Sequence, residues 1–155
     1  MVKWTPSGTK AYTDMTGENP LKSDMFHVIA CTNNAKAPLP EGEGVTRVDR
    51  GEWRGVLTTV EAGGSIAWPS AKYEHKDLDP ETLDATFEYK IVEVVKVGDT
   101  WIAVNDPQAS GSGLPGMEYD QTVWTAKVTV ADKGGPLELS VEYYNCLLYT
   151  SPSPR

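Results

Sequence analysis

A single carboxylate interrupts the apolar face of one predicted strand. Side chains alternate between the two faces of a strand. In the predicted strand at residues 85–97, one face carries Phe87, Tyr89, Ile91, Glu93, Val95 and Val97. Because burial disfavours the charged form, a lone carboxyl among such neighbours keeps its proton or requires a partner. Glu93 is therefore a functional-site candidate; the alternative is that a twist, a bulge or an edge position leaves it in water.

The side chains typical of metal sites and hydrolases are not grouped in this sequence. His27 and His75 lie far apart, and no cluster of Cys and His has the spacing of metal ligands. Neither a Gly-x-Ser-x-Gly motif nor a His-centred triad pattern occurs. We therefore expect no metal, no cofactor and no enzyme in the usual sense.

The composition is acidic and limits the partners that the chain can have. Its 155 residues include 22 acidic and 14 basic ones, and the net charge is -8. This size suits one domain with a core of its own. Phosphate binding requires a basic face, so nucleic acid is not an expected partner. No apolar run approaches the length of a membrane-spanning helix, so we expect no membrane insertion of this chain.

Alternation with a period of two dominates the chain, and residues that favour strands are plentiful. The predicted strands are Thr9–Thr13, Met25–Thr32, Gly55–Glu61, Ser65–Trp68, Ala85–Val97, Thr100–Asn105, Glu118–Ala131 and Leu137–Tyr144. Asp79–Leu83 has the composition of a helix start, and one turn of helix is predicted there. Short strands with regular turns predict an all-β, Ig-like β-sandwich of about seven to eight mostly antiparallel strands.

The last two predicted strands each present one apolar face. The first of these faces carries Trp124, Ala126, Val128 and Val130. The second carries Leu137, Leu139, Val141 and Tyr143. We expect both rows to be core positions of half-buried antiparallel strands.

Several segments, in order, resemble a known family. Gly116–Tyr144 is similar to its signature, which runs Gly-x-x-Tyr-Asp-x-Thr-x-Tyr, an alternating Val/Thr strand, an Asp/Gly turn and a Leu-led strand. Tyr89-Lys-Ile-Val-Glu-Val94 resembles its Tyr-x-x-x-Glu-Val strand, and Leu21-Lys-Ser-Asp-Met-Phe26, preceded by Thr16-Gly17, resembles the Leu-Lys-x-x-x-Phe start of its second strand. Residues 10–145 thus resemble a Gram-positive, streptococcal-type pilin isopeptide-linkage domain.

The resemblance implies a covalent crosslink that the domain makes by itself. In this family a Lys on the first strand attacks the side-chain amide of an Asn on the last strand. Ammonia leaves, and a Glu on a middle strand assists. Desolvation favours the neutral, nucleophilic amine, and a protonated Glu in the same dry site can polarise the Asn carbonyl and transfer protons. Glu93 matches the family's Glu in motif and in facing, and would be the proton shuttle.

Lys10 is the candidate nucleophile because it lies on the first predicted strand. Its spacing to Gly17 is longer than in the family's Lys-x-Leu-x-Gly pattern, in which Thr13 would take the position of the Lys. Lys3 is the second candidate. The remaining alternatives are that the reactive Lys is lost and that Lys10 is an ordinary surface residue.

The end of the sequence resembles translated sequencing adapter. Cys146-Leu-Leu-Tyr-Thr-Ser-Pro-Ser-Pro-Arg155 matches one reading frame of a common transposase adapter, and such a segment is left out of fold reasoning. We therefore expect a domain at residues 1–145 and a non-native tail at residues 146–155 in a metagenomic fragment. Cys31 would then be the only native cysteine, without an intramolecular disulfide. The family's Asn lies on a strand after Tyr144, so we expect it beyond residue 145.

The resemblance also implies a location and partners. It implies an extracellular, cell-wall-anchored stalk domain of a surface pilin or adhesin, joined to neighbouring subunits or repeats by sortase, with a host surface ligand as a further partner. Two other interpretations fit the sequence. One is a non-crosslinked Ig-like adhesion or carbohydrate-binding module, because five Trp residues are available. The other is a phage virion structural protein.

Overall fold

Two antiparallel sheets form the part of the chain that the computed structural model describes, residues 1–7, 26–62, 64–109 and 123–145. The smaller sheet consists of β1 (Val2–Trp4) and β5 (Ala71–Tyr73). The larger sheet consists of β2 (His27–Thr32), β3 (Thr46–Arg50), β4 (Trp53–Thr59), β6 (Asp84–Val97), β7 (Thr100–Ala103), β8 (Trp124–Ala131) and β9 (Glu138–Asn145).

The long strand β6 is the centre of the larger sheet. The strand order is β3-β4-β2-β6-β8-β9, and β7 pairs with β6 where β8 no longer does. Along β6, Ile91 is the last residue paired with β8, and Val94 is the first paired with β7. On its other side β6 pairs with β2 over Lys90–Val94. The stretch Ile91–Val95, where these pairings meet, is buried on both faces.

The core lies between the two sheets. We call the side of the larger sheet that faces β1 and β5 the inner face. Its fully buried positions include Phe87, Tyr89, Ala126, Val128 and Val130. Aromatic rings join the layers: the Trp4 and Tyr89 centroids are 4.8 Å apart, and those of Tyr73 and Phe87 are 5.5 Å apart. Contacts of this kind are favourable beyond the area that they bury.

Two buried tyrosine hydroxyls connect the layers by hydrogen bonds. The Tyr89 hydroxyl donates to the Pro38 carbonyl oxygen at 2.5 Å and lies 2.9 Å from the Tyr73 hydroxyl. Burial is the main cause that raises the pKa of Tyr73 and of Tyr89. Both hydroxyls therefore stay protonated and can donate, which satisfies polar groups that would be costly to leave alone in the core.

The structure confirms the predicted Ig-like β-sandwich and alters several of its elements. Strands β1, β3 and β5 were not predicted, because β1 and β5 are very short and β3 is exposed on both faces. The predicted strand Ser65–Trp68 is reduced to an isolated bridge between Val60 and Ile66. Thr9–Thr13 lies outside the described residues.

The single turn predicted at Asp79–Leu83 is present as a hydrogen-bonded turn and not as a helix, since the Leu83 N–H donates to the Asp79 carbonyl oxygen at 2.8 Å. Asp79 does act as a cap, because its Oδ1 accepts hydrogen bonds from the backbone of Glu81 and Thr82. Leu83 then adopts a φ of 60°, outside the helical region, and ends the segment after a single turn. The described residues instead contain short 3₁₀ helices at His75–Asp77 and Pro107–Ala109.

Candidate functional site

Glu93 is buried on the inner face of the central strand. Glu93 is only 8% exposed. The alternative in which its side chain lies in water therefore does not hold. Opposite it on β2 lies Val28, which is 4% exposed and is its register partner. The alternation predicted for this strand therefore places the carboxylate among core side chains.

Two apolar clusters meet at this residue. The larger cluster includes Ile91 and Val28, and the smaller one consists of Val95, Ile102, Val104 and Ala109. Glu93 lies between Ile91 and Val95 along the strand, and its backbone oxygen accepts a hydrogen bond from the Val104 N–H at 3.0 Å. Its neighbours along β6, on β2 and at Val104 are thus apolar.

A buried hydroxyl lies further along the same row of the inner face. Thr58 on β4 is the register partner of Val28 on its other side and is 1% exposed. Its Oγ1 donates to the Ala67 carbonyl oxygen at 2.5 Å. Thr58 is therefore engaged in fixing the segment after β4.

Of the two lysines predicted as nucleophiles, the structure describes only Lys3. Lys10 lies outside the described residues. Lys3 is exposed on β1 between Val2 and Trp4, whose side chains turn toward the core, so Lys3 points away from Glu93. Lys90 lies near Glu93 in sequence but on the opposite face of β6, where its Nζ donates to Thr125 Oγ1 at 2.7 Å.

Trp124 and Tyr143 were predicted as core residues, and this prediction is wrong. They face inward in their strands, but Trp124 is 42% exposed and Tyr143 is 38% exposed. The rest of the Trp124 row behaves as predicted, since Ala126, Val128 and Val130 are fully buried. The apolar row continues past the region that the described part of the second layer covers, which alternation alone cannot reveal.

The opposite face of the larger sheet holds an aromatic pair that sequence reasoning missed. The rings of His27 and Trp101 lie 4.7 Å apart, with Lys96 Nζ 5.9 Å from the Trp101 centroid. Cys31 is a free, half-buried thiol on this face, and burial raises its pKa to about 11. At neutral pH the thiol is therefore protonated and a poor nucleophile.

The described residues contain no grouping of His, Cys, Asp and Glu side chains that could hold a metal ion. The same part of the chain contains no helix that is long and apolar enough to cross a membrane. Asn145 is the final residue of β9 and pairs with Trp124.

Comparison with known families identifies the domain. Residues 6–151 match the family FctA, described as a Spy0128-like isopeptide containing domain. The chain belongs to this family. No curated protein and no solved structure matches it.

Membership in FctA confirms the resemblance to a Gram-positive pilin isopeptide domain and the sandwich fold. It identifies the chain as a structural pilin domain and implies a surface pilin that associates with other pilin subunits. It gives no support to a phage virion protein or a non-crosslinked adhesion module. The match continues beyond residue 145, where the domain was predicted to end.

Proposed function

We propose that this FctA domain is a load-bearing unit of a pilin or adhesin stalk that stabilises itself with a Lys–Asn isopeptide bond assisted by Glu93. The observation that carries the proposal is the burial of Glu93 among apolar side chains in a family of isopeptide-containing domains. A buried carboxylate is costly, so its retention in a core requires a reason. Proton transfer during bond formation is such a reason.

The bond forms by exchange of one amide for another. The neutral Lys amine attacks the Asn Cγ, a new Nζ–Cγ bond forms, and the Cγ–Nδ2 bond breaks. The protonated Glu93 gives its proton to the Asn oxygen as the amine attacks, and the resulting carboxylate takes a proton from the attacking nitrogen. It passes that proton to the leaving nitrogen, which departs as ammonia, and regains its own from the Asn oxygen as the carbonyl re-forms. The reaction happens once per molecule and needs no cofactor.

Lys10 is the proposed nucleophile, and the described ends of its segment support this assignment. The chain leaves the described part just after Trp4, which contacts the rim of the inner face because its Nε1 donates to the Tyr143 hydroxyl at 3.2 Å. It returns at Phe26, which is 1% exposed and directly precedes β2. Val28 on β2 is the register partner of Glu93. Both ends therefore lie on the face that holds the carboxyl.

The proposed Asn lies on a strand beyond residue 145, as the motif order of the family implies, with a domain at residues 1–145 and a non-native tail at residues 146–155. A bond from the first strand to such a strand would enclose more than a hundred residues. By analogy with disulfide loop closure, this stabilises the folded state by about 5 kcal/mol. That is comparable to the whole net stability of a small domain, and it suits a stalk under tension. Cell-wall anchoring, secretion, adhesion to a host ligand and joining by sortase belong to the same proposal.

Intact-mass measurement tests the crosslink. The domain is expressed with the strand that follows in its parent gene, and its mass is expected to be lower than the sequence mass by one ammonia. Glu93→Gln and Lys10→Ala are each expected to restore the full mass. Their matched controls are Glu88→Ala, on the exposed opposite face of β6, and Lys3→Ala, exposed on β1.

The two variants separate the parts of the proposal. An unchanged mass in the complete wild-type domain would refute the bond. Loss of ammonia in Glu93→Gln would refute the role of Glu93. Loss of ammonia in Lys10→Ala would show that another lysine is the nucleophile. Folding of each variant is checked by circular dichroism, and Glu93→Gln is chosen because it retains the shape of the side chain.

A further inference from the structure

Strand β6 changes its neighbour on one side directly at Glu93. On that side β6 pairs with β8 as far as Ile91 and with β7 from Val94 onward. Glu93 lies between these two pairings, in the interval where one neighbouring strand replaces the other. The position of its backbone on this side is therefore decided by a contact outside both pairings.

Val104 supplies such a contact, one residue beyond the end of β7. Its N–H donates to the Glu93 carbonyl oxygen at 3.0 Å. The register of β6 and β7 ends at the pair of Val94 and Ala103, and this hydrogen bond extends it by one pair. Val104 therefore lies opposite Glu93. Opposite side chains of an antiparallel pair are on the same face, with Cβ atoms about 5 Å apart, so the buried Val104 is a neighbour of the Glu93 side chain.

The segment that follows Val104 holds this valine in place. The Asp106 N–H donates to the Ala103 carbonyl oxygen, and the Ala109 N–H donates to the Asp106 carbonyl oxygen, each at 2.9 Å. These bonds turn the chain into the 3₁₀ helix Pro107–Ala109. Its last residue is buried and packs with Val104 in the smaller apolar cluster. Val104 is thus braced by a turn of its own.

A second valine lies on the other side of Glu93. Val28 on β2 is the register partner of Glu93 there and is also buried. Glu93 therefore has a buried valine opposite it on each of two neighbouring segments. Valine is branched at Cβ and stiff, and in a closely packed core two such neighbours restrict the orientations open to the side chain between them. A carboxyl that exchanges protons with an amine and an amide requires a fixed orientation of this kind.

We infer that Val104 is a positioning residue for the proposed crosslinking reaction, in which it fixes the backbone of Glu93 through its N–H and the carboxyl through its side chain. The inference rests on the proposed function and adds a residue to it. Val104 acts through Glu93 and does not itself exchange a proton. Because a misplacement of about 1 Å can slow a reaction by roughly a hundredfold, a void at position 104 is expected to slow bond formation.

The rate of bond formation tests the inference. The complete domain, with the strand that follows in its parent gene, is made by cell-free synthesis, and intact mass follows the fraction of molecules that have lost one ammonia. The test variant is Val104→Ala, and Val104→Ile is the conservative variant that keeps a branched side chain. The matched control, Val130→Ala, removes the same atoms at a fully buried position whose register partner, Ala85, precedes Glu93 by eight residues (93 minus 85) on β6. Circular dichroism checks that each variant folds.

We expect Val104→Ala to form the bond between about tenfold and a hundredfold more slowly than Val130→Ala, and Val104→Ile to stay within about threefold of wild type. Equal rates for the two alanine variants would overturn the inference and leave the proposed function intact. A rate for Val104→Ile as low as that for Val104→Ala would also overturn it, because the branched side chain would then not matter. A wild-type domain that loses no ammonia would refute the proposed function, and the inference with it.

A milder pair of variants replaces these if Val104→Ala does not fold. Ile102→Val removes one methyl group from the smaller apolar cluster, and its control is Ile29→Val on the opposite face of the larger sheet. A slowing of about threefold is expected for Ile102→Val relative to Ile29→Val, since the brace of Val104 is loosened and not removed. Equal rates for this pair would overturn the inference.

Discussion

The two outer strands of the larger sheet, β3 and β9, face solvent differently. Strand β3 is exposed on both faces, and its Arg47 forms ion pairs with Glu41 and with Asp49. Strand β9 keeps an apolar row toward the interior, and that row ends at the exposed Tyr143. Charges on an outer strand discourage further strands from pairing with it, and β3 carries such charges on both faces. We call the β3 end of the sheet the closed end. We call the apolar inner-face row of β9, formed by Leu139, Val141 and Tyr143, the β9 margin.

The largest expected effect contrasts a core position beneath β9 with a position on the exposed strand β3. Val128→Asp places a carboxylate at a fully buried site next to the β9 margin and is expected to lower the free energy of unfolding by more than about 4 kcal/mol. Val48→Asp, on the exposed strand β3, is expected to cost less than about 1 kcal/mol. Urea unfolding measures both. If Val128→Asp does not fold, Val128→Ala, with an expected loss of roughly 2 kcal/mol, replaces it. Equal costs at positions 128 and 48 would contradict the contrast.

The closed end depends on a close approach between strands. A Cβ at Gly55 would lie 2.7 Å from Ile29 Cδ1 and 2.8 Å from the Val48 backbone oxygen. Because the backbone oxygen of β3 cannot move without loss of pairing, Gly55→Ala is expected to cost about 1–3 kcal/mol. Its control is Gly135→Ala, where nothing lies within 4 Å and no cost is expected. Thermal unfolding compares the two. If the midpoint of thermal unfolding is unchanged in Gly55→Ala, β3 does not approach Gly55 as closely in solution as in the structure.

Sequence reasoning succeeds where strands are long and alternate, and β6 is the clearest case. Its period of two identifies the inner face and places Glu93 on it, because a single register governs the whole strand. The same reasoning misses β3, because a strand exposed on both faces has no apolar alternation to detect. It also cannot anticipate β1 and β5, which are three residues each and owe their pairing to the layer beneath them.

At the candidate site, too, sequence reasoning finds some features and misses others. Burial of Glu93 follows from local pattern, and the family follows from motif order. The exposure of Trp124 follows from neither, because alternation reports only which side of a sheet a residue faces and not whether a second layer covers it. Coverage is a tertiary property. Among the described residues, the smaller sheet reaches the larger one here at Trp4, whose indole N–H donates to the Tyr143 hydroxyl.

A tyrosine hydroxyl in the core and one at the β9 margin are expected to contribute differently to the free energy of unfolding. Tyr89→Phe removes the buried donor to the Pro38 carbonyl oxygen and the partner of the Tyr73 hydroxyl. Leaving such groups unsatisfied is expected to cost about 1–3 kcal/mol. Tyr143→Phe removes only the acceptor of the Trp4 indole at a position open to water, and less than about 0.5 kcal/mol is expected because water can replace it. Chemical denaturation checks both. If Tyr143→Phe lowers the free energy of unfolding more than Tyr89→Phe does, the Tyr143 hydroxyl belongs to the core.

The smallest expected effect concerns the charges on the closed end. The hydrogen bond from the Arg47 guanidinium is the main cause that lowers the pKa of Asp49, with a smaller contribution from the Gly55 backbone. A carboxylate whose pKa is lowered by folding adds stability above its unfolded pKa, and this stability is lost as the pH falls through the lower, folded pKa. In Arg47→Ala the pKa of Asp49 is therefore expected to rise toward its ordinary value, and the loss of stability in acid should be smaller and complete at a higher pH. NMR titration of the Asp49 carboxyl measures the first effect.

High salt should shift the wild-type pKa in the same direction, because the pair is exposed and screened. A titration that is identical in wild type and Arg47→Ala would mean that Arg47 does not hold Asp49 in solution, and the protection of β3 would then rest on its exposed side chains without an ordered ion pair.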